Sequence, residues 1–94
     1  MDIPLKETPR GLSLDLTLRL PFGLHARPAA RLAQEAQKYA SRIWLATAAG
    51  EADAKSMLDV LALAPSSNTR VTITAAGEDA REAIFGLVRV LTQL

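Results

Sequence analysis

From Leu12 to Leu20 apolar and polar positions alternate without a break. Leu12, Leu14, Leu16, Leu18 and Leu20 share one side, and Ser13, Asp15, Thr17 and Arg19 share the other. A period of two with one apolar face predicts a strand lying on a core. Pro21, Phe22 and Gly23 break the alternation and turn the chain. Pro28 to Ala40 then carries Leu32, Ala33, Ala36, Tyr39 and Ala40 at helical spacing. Its proline sits near the helix start, where the missing N–H has no intrahelical partner to lose. Ile43 to Thr47 predicts a strand, and Glu51 to Ala54 a weaker partner after a turn at Gly50, because alanine is a poor strand former.

Met57 to Ala64 predicts a short apolar helix. Ser56 opens it with Asp59 three positions on, close to a capping box, and Pro65 stops it. Beyond the loop Ser66-Ser67-Asn68, Arg70 to Ala75 alternates again, with Val71, Ile73 and Ala75 on one face. Gly77 to Leu94 closes the chain as a long helix striped by Ala80, Ile84, Leu87, Val88 and Leu91. The order β-α-β-β-α-β-α predicts an α+β fold of two layers, with helices on one face of a small, mainly antiparallel sheet. Trp44, between the core-facing Ile43 and Leu45, belongs on the opposite, helix-free face.

The 94 residues suffice for one core, expected at residues 12–94, after a polar tail or linker at 1–11. Hydrophobic residues at 49 % and charged ones at 22 % describe a soluble globular chain, and 4 % aromatics make its core aliphatic. A net charge of +1 argues against a nucleic-acid backbone as partner. No cysteine and a single histidine leave neither thiolate chemistry nor a metal site to expect. No cofactor is expected. No apolar run approaches the roughly 20 residues of a bilayer span, so no membrane insertion is expected. MDIPLKETPR lacks a signal-peptide core, which makes the cytoplasm the default location.

The sole histidine, His25, falls just ahead of a helix, with Ala26 and Arg27 in its first turn. The first N–H groups of a helix lack intrahelical acceptors, and the macrodipole adds partial positive charge, so an anion is welcome there. A phosphoryl group on the imidazole could accept backbone N–H bonds, with charge-assisted ones from Arg27. Spacing alone equally allows a polar residue of a turn and a solvated arginine. Ser56 likewise serves as a plain N-cap, and Met57, Leu58 and Leu61 as core.

The string Gly23-Leu24-His25-Ala26-Arg27-Pro28-Ala29 resembles the active-site motif of the HPr family, the histidine phosphocarriers of the bacterial phosphotransferase system. The likeness continues through Ala54-Lys55-Ser56-Met57-Leu58 and through Val71 to Ala80. It implies an open-faced β-sandwich of four antiparallel strands with three helices on one side. It also implies phosphoryl transfer from phosphorylated enzyme I, charged by phosphoenolpyruvate, to an enzyme IIA-type acceptor in sugar uptake. His25 would then be phosphorylated on Nδ1, Ala26 and Arg27 would hold the phosphate, and Ser56 would match a regulatory phosphorylation site. Partners would dock on Ala26, Ala30, Met57, Leu58 and Leu61, against a monomer that turns over no small substrate by itself. One departure stands out: the family often has proline-asparagine-glycine where this chain has Pro21-Phe22-Gly23. The leader also admits a domain of a multiphosphoryl transfer protein beside a stand-alone carrier. Two other readings remain at this stage. One is a carrier for a regulatory or dihydroxyacetone branch; the other is a non-catalytic α+β interaction module using the face around Trp44.

Overall fold

A computed structural model describes residues 4–63 and 65–93. The expected helix ends Ala64 and Leu94, and Met1–Ile3 of the leader, lie outside the described residues. Two strands open the fold, β1 (Lys6–Thr8) and β2 (Gly11–Thr17), followed by helix α1 (Ala26–Ala36). A hairpin of β3 (Arg42–Thr47) and β4 (Gly50–Asp53) leads to α2 (Met57–Leu63), β5 (Arg70–Ala76) and α3 (Ala80–Gln93). The sheet runs β1-β2-β5-β3-β4, with every neighbouring pair antiparallel.

The fold is the expected α+β open-faced sandwich, with one correction: the sheet has five strands, not four. Lys6–Thr8, inside the polar leader, pairs with β2 in the register Lys6↔Ser13 to Thr8↔Gly11. Three exposed polar residues carry no alternation to read, so only the backbone ladder makes them a strand. A second difference concerns the run to Leu20. The β2–β5 ladder ends at Thr17↔Arg70, and Leu18 instead exchanges bonds with a loop, its N–H donating to the Thr69 carbonyl and its carbonyl accepting from Asn68 N–H. Leu18 and Leu20 stay buried, so the apolar side of the alternation extends beyond the regular strand.

The core is aliphatic. Leu14, Ile43, Leu45, Val71 and Ile73 of the sheet meet Leu32, Val60, Ile84 and Leu87 of the helices, all of them buried. The loop from α1 to β3 is tied to the start of α3 by Asp79, whose carboxylate accepts from the N–H groups of Ala40 and Ser41 and from the Ser41 hydroxyl. These bonds hold the Asp79 carboxyl below its ordinary pKa.

The helix-free face has its own polar framework. Asp15 accepts from Thr72 Oγ1 at 2.6 Å, Arg70 Nη2 at 3.1 Å and Lys6 Nζ at 3.2 Å. Led by the Thr72 bond, these lower its pKa to about 2. A carboxylate with a depressed folded-state pKa adds stability above its unfolded value of about 4, and that stability disappears as the pH falls through about 2. Because Lys6 and Arg70 are largely in solvent, Asp15→Asn should cost only about 1 kcal/mol at pH 7. Urea unfolding at pH 7 and at pH 2 checks this: the difference between the two proteins should be largely, though not wholly, lost at the lower pH, where Asp15 is about half protonated.

Trp44 lies on this face as expected and is half-buried. Arg10, from the β1–β2 turn, crosses the sheet and stacks with its guanidinium 3.8 Å from the indole centroid. The same guanidinium forms a bidentate pair with Glu51 of β4, at 2.7 and 3.0 Å.

Candidate functional site

The chain reaches His25 through a tight turn. The Gly23 N–H donates to the Leu20 carbonyl at 3.1 Å, leaving Pro21 and Phe22 as the two central residues. Gly23 has φ +69°, and a Cβ there would lie 2.5 Å from the Pro65 carbonyl oxygen and 2.8 Å from Ser66 Cα. The next residue, Leu24, is buried and donates its N–H to that same Pro65 carbonyl at 2.9 Å. The turn is thus pinned to the segment following α2.

His25 is exposed and is the N-cap of α1, with extended backbone angles (φ −84°, ψ −169°). Its carbonyl accepts from Ala29 N–H at 2.9 Å, while its side chain makes no capping bond. The helix starts at Ala26, with Ala26 and Arg27 in its first turn as expected, and Pro28 falls in the same turn, where an N–H would have no intrahelical acceptor. The N–H groups of Ala26 and Arg27 therefore face the helix mouth without intrahelical partners, beside the imidazole they flank. Arg27 is exposed, and none of the ion pairs among the described residues uses it. An exposed imidazole, free N–H donors and an uncommitted guanidinium suit an incoming phosphoryl group chemically.

Helix α2 runs alongside α1 in the opposite direction. Gln37 Nε2 donates to the Lys55 carbonyl near the start of α2, and the Leu24–Pro65 bond joins the other ends. Ser56 caps α2, its Oγ accepting from Asp59 N–H at 3.2 Å and its carbonyl accepting from Val60 N–H. Of the expected docking residues, Ala26, Met57 and Leu58 are exposed, with Leu58 at 77 % of its surface. Ala30 is half-buried, and Leu61 is half-buried against the core. The structure thus places His25, Ala26 and Arg27 together, while Ser56 belongs to the opposite end of the α1–α2 pair.

Two features were beyond sequence reasoning. Phe22 is 84 % exposed, and its ring stands edge-on to the His25 imidazole, with centroids 6.2 Å apart and planes at 74°. The Gly23–Pro65 contact is long-range, and the glycine alone was the signal for it.

Known proteins resemble this chain closely. A family model described as the PTS HPr component phosphorylation site matches residues 12–93. The phosphocarrier protein HPr of Buchnera aphidicola subsp. Baizongia pistaciae is 39 % identical over 80 residues, covering 85 % of this chain and 94 % of that protein. The HPr-like protein Crh of Bacillus subtilis is 43 % identical over 67 residues, covering 71 % of this chain and 79 % of that one. Among solved structures, HPr-C-His from Thermoanaerobacter tengcongensis superposes with a TM-score of 0.82 at 34 % identity, over 86 % of this chain and 91 % of that one.

Proposed function

We propose, from the premise that this chain belongs to the HPr family of phosphotransferase-system phosphocarriers, that His25 is its phosphoryl-accepting residue. The observation that carries the reading is the exposed imidazole at the mouth of α1, whose side chain serves no structural bond. In the proposed step the Nδ1 lone pair of a neutral imidazole forms the N–P bond as the donor's bond to phosphorus breaks. The Ala26 and Arg27 N–H groups and the Arg27 guanidinium bind the phosphoryl oxygens. The chain acts as a carrier rather than an enzyme with a small substrate: the group must leave again, to an acceptor that presents its own nucleophile.

The donor is enzyme I charged by phosphoenolpyruvate, and the acceptor an enzyme IIA-type protein of sugar uptake, both met in the cytoplasm by a monomer. Residues 12–94 are the phosphocarrier domain in this reading. Docking uses Ala26, Ala30, Met57, Leu58 and Leu61; the exposure of Met57 and Leu58 at the start of α2 supports it. Incubation with enzyme I and phosphoenolpyruvate tests the reading. One acid-labile phosphoryl group should be gained, and an unchanged mass would refute it.

Ser56 is assigned a regulatory role on the same footing. An Asp at this position still caps α2, so the fold is kept while negative charge enters the docking surface. Ser56→Asp should slow transfer from enzyme I about tenfold, and an unchanged rate in a transfer assay would remove the assignment.

A further inference from the structure

We infer that Phe22 is a specificity-determining contact for the phosphoryl donor, whose surface beside its own phosphorylated residue is apolar and takes the Phe22 ring. The inference rests on the carrier reading of His25. Phosphoryl transfer requires the donor atom and a His25 ring nitrogen to share one phosphorus, so the donor's surface must close on the imidazole. A ring whose centroid lies 6.2 Å from that imidazole is then covered by the donor. In the free protein the same ring is 84 % exposed. The contact therefore removes most of a phenylalanine side chain from water, which corresponds to roughly 10- to 100-fold in affinity.

The turn gives Phe22 no structural work to do. It occupies a central position between Leu20 and Gly23, where a small polar residue satisfies the backbone as well. On either side, Leu20 and Leu24 are buried, and Gly23 is wedged against Pro65 and Ser66. The ring is thus presented from an anchored backbone, and little loop freedom is lost when it is covered. Among the described residues no exposed large apolar side chain has a greater exposed fraction. Such a ring selects by hydrophobic match: a donor with a polar or charged rim at this point would lose hydration without recompense.

The test is steady-state transfer from phosphorylated enzyme I of the same genome to the wild-type protein and to Phe22→Ala, Phe22→Asn and Phe22→Leu. Phe22→Ala and Phe22→Asn should raise KM by at least about tenfold with kcat within about twofold, and Phe22→Leu should retain most of the wild-type KM. Thermal melts of all three should match wild type, because the ring packs on so little. Asn suits the turn, so an equal loss in that variant assigns the effect to the ring rather than to loop geometry. An unchanged KM in Phe22→Ala, or a fall in kcat at constant KM, overturns the inference while leaving the carrier reading intact. Failure of the wild-type protein to accept a phosphoryl group overturns both.

Discussion

The His25→Ala protein should fold with wild-type stability and accept no phosphoryl group from enzyme I. The two halves of that expectation come from the same geometry. What His25 gives the fold is its backbone: extended angles at the N-cap and a carbonyl that accepts from Ala29 N–H. Alanine keeps both. The imidazole makes no capping bond and stands in solvent, so its removal should change the unfolding free energy by less than about 0.5 kcal/mol. It is also the chain's only histidine, so no second imidazole is present to take over. Intact-mass measurement after incubation with enzyme I and phosphoenolpyruvate, beside a thermal melt, reads both halves. Incorporation that persists in His25→Ala would place the acceptor elsewhere.

Gly23→Val has the other large effect, and it acts on the fold. At φ +69° a β-branched residue is strained, and the new Cβ would stand 2.5 Å from the Pro65 oxygen. The clash is with backbone, so no side-chain rotation relieves it. Either the turn or the segment after α2 must move, which also weakens the Leu24 N–H bond to Pro65. A loss of about 3 kcal/mol in urea unfolding is expected, near the upper end for single substitutions. Since the same turn aims His25, phosphoryl acceptance by the molecules still folded should fall by one to two orders of magnitude. Wild-type stability in Gly23→Val would mean that the turn is free of Pro65.

Much of this was legible in the sequence because one physical rule covered it. The Leu12–Leu20 alternation and the stripe from Ala80 to Leu91 each report a core-facing side, and both lie where the pattern put them, although Ser13 on the polar side is buried as well. The imidazole's place at a helix mouth followed from the turn residues before it and the alanine-rich run after it. What escaped was long-range or backbone-driven. Lys6–Thr8 has no apolar side, so nothing in its side chains announces a strand. Arg10 over Trp44 joins residues 34 positions apart (44 − 10), and a solvated arginine looks the same in a sequence as a stacked one. The helical spacing continues through Tyr39 and Ala40, yet α1 ends at Ala36, and Tyr39 packs on the core from the turn that follows.

The added strand β1 has a consequence for how the molecule meets other chains. Without it β2 would be an outermost strand, presenting seven residues of unpaired backbone, a ready template for a foreign strand. With it, the outer borders are Lys6–Thr8, a three-residue strip between Pro4 and Pro9, and the short β4 with Glu51 and Asp53. Proline cannot donate to a ladder, and a short edge strand carrying charged side chains is a poor template for a further one. The leader thus acts as a selvedge, finishing the sheet at the side where the weave would otherwise have continued into another molecule.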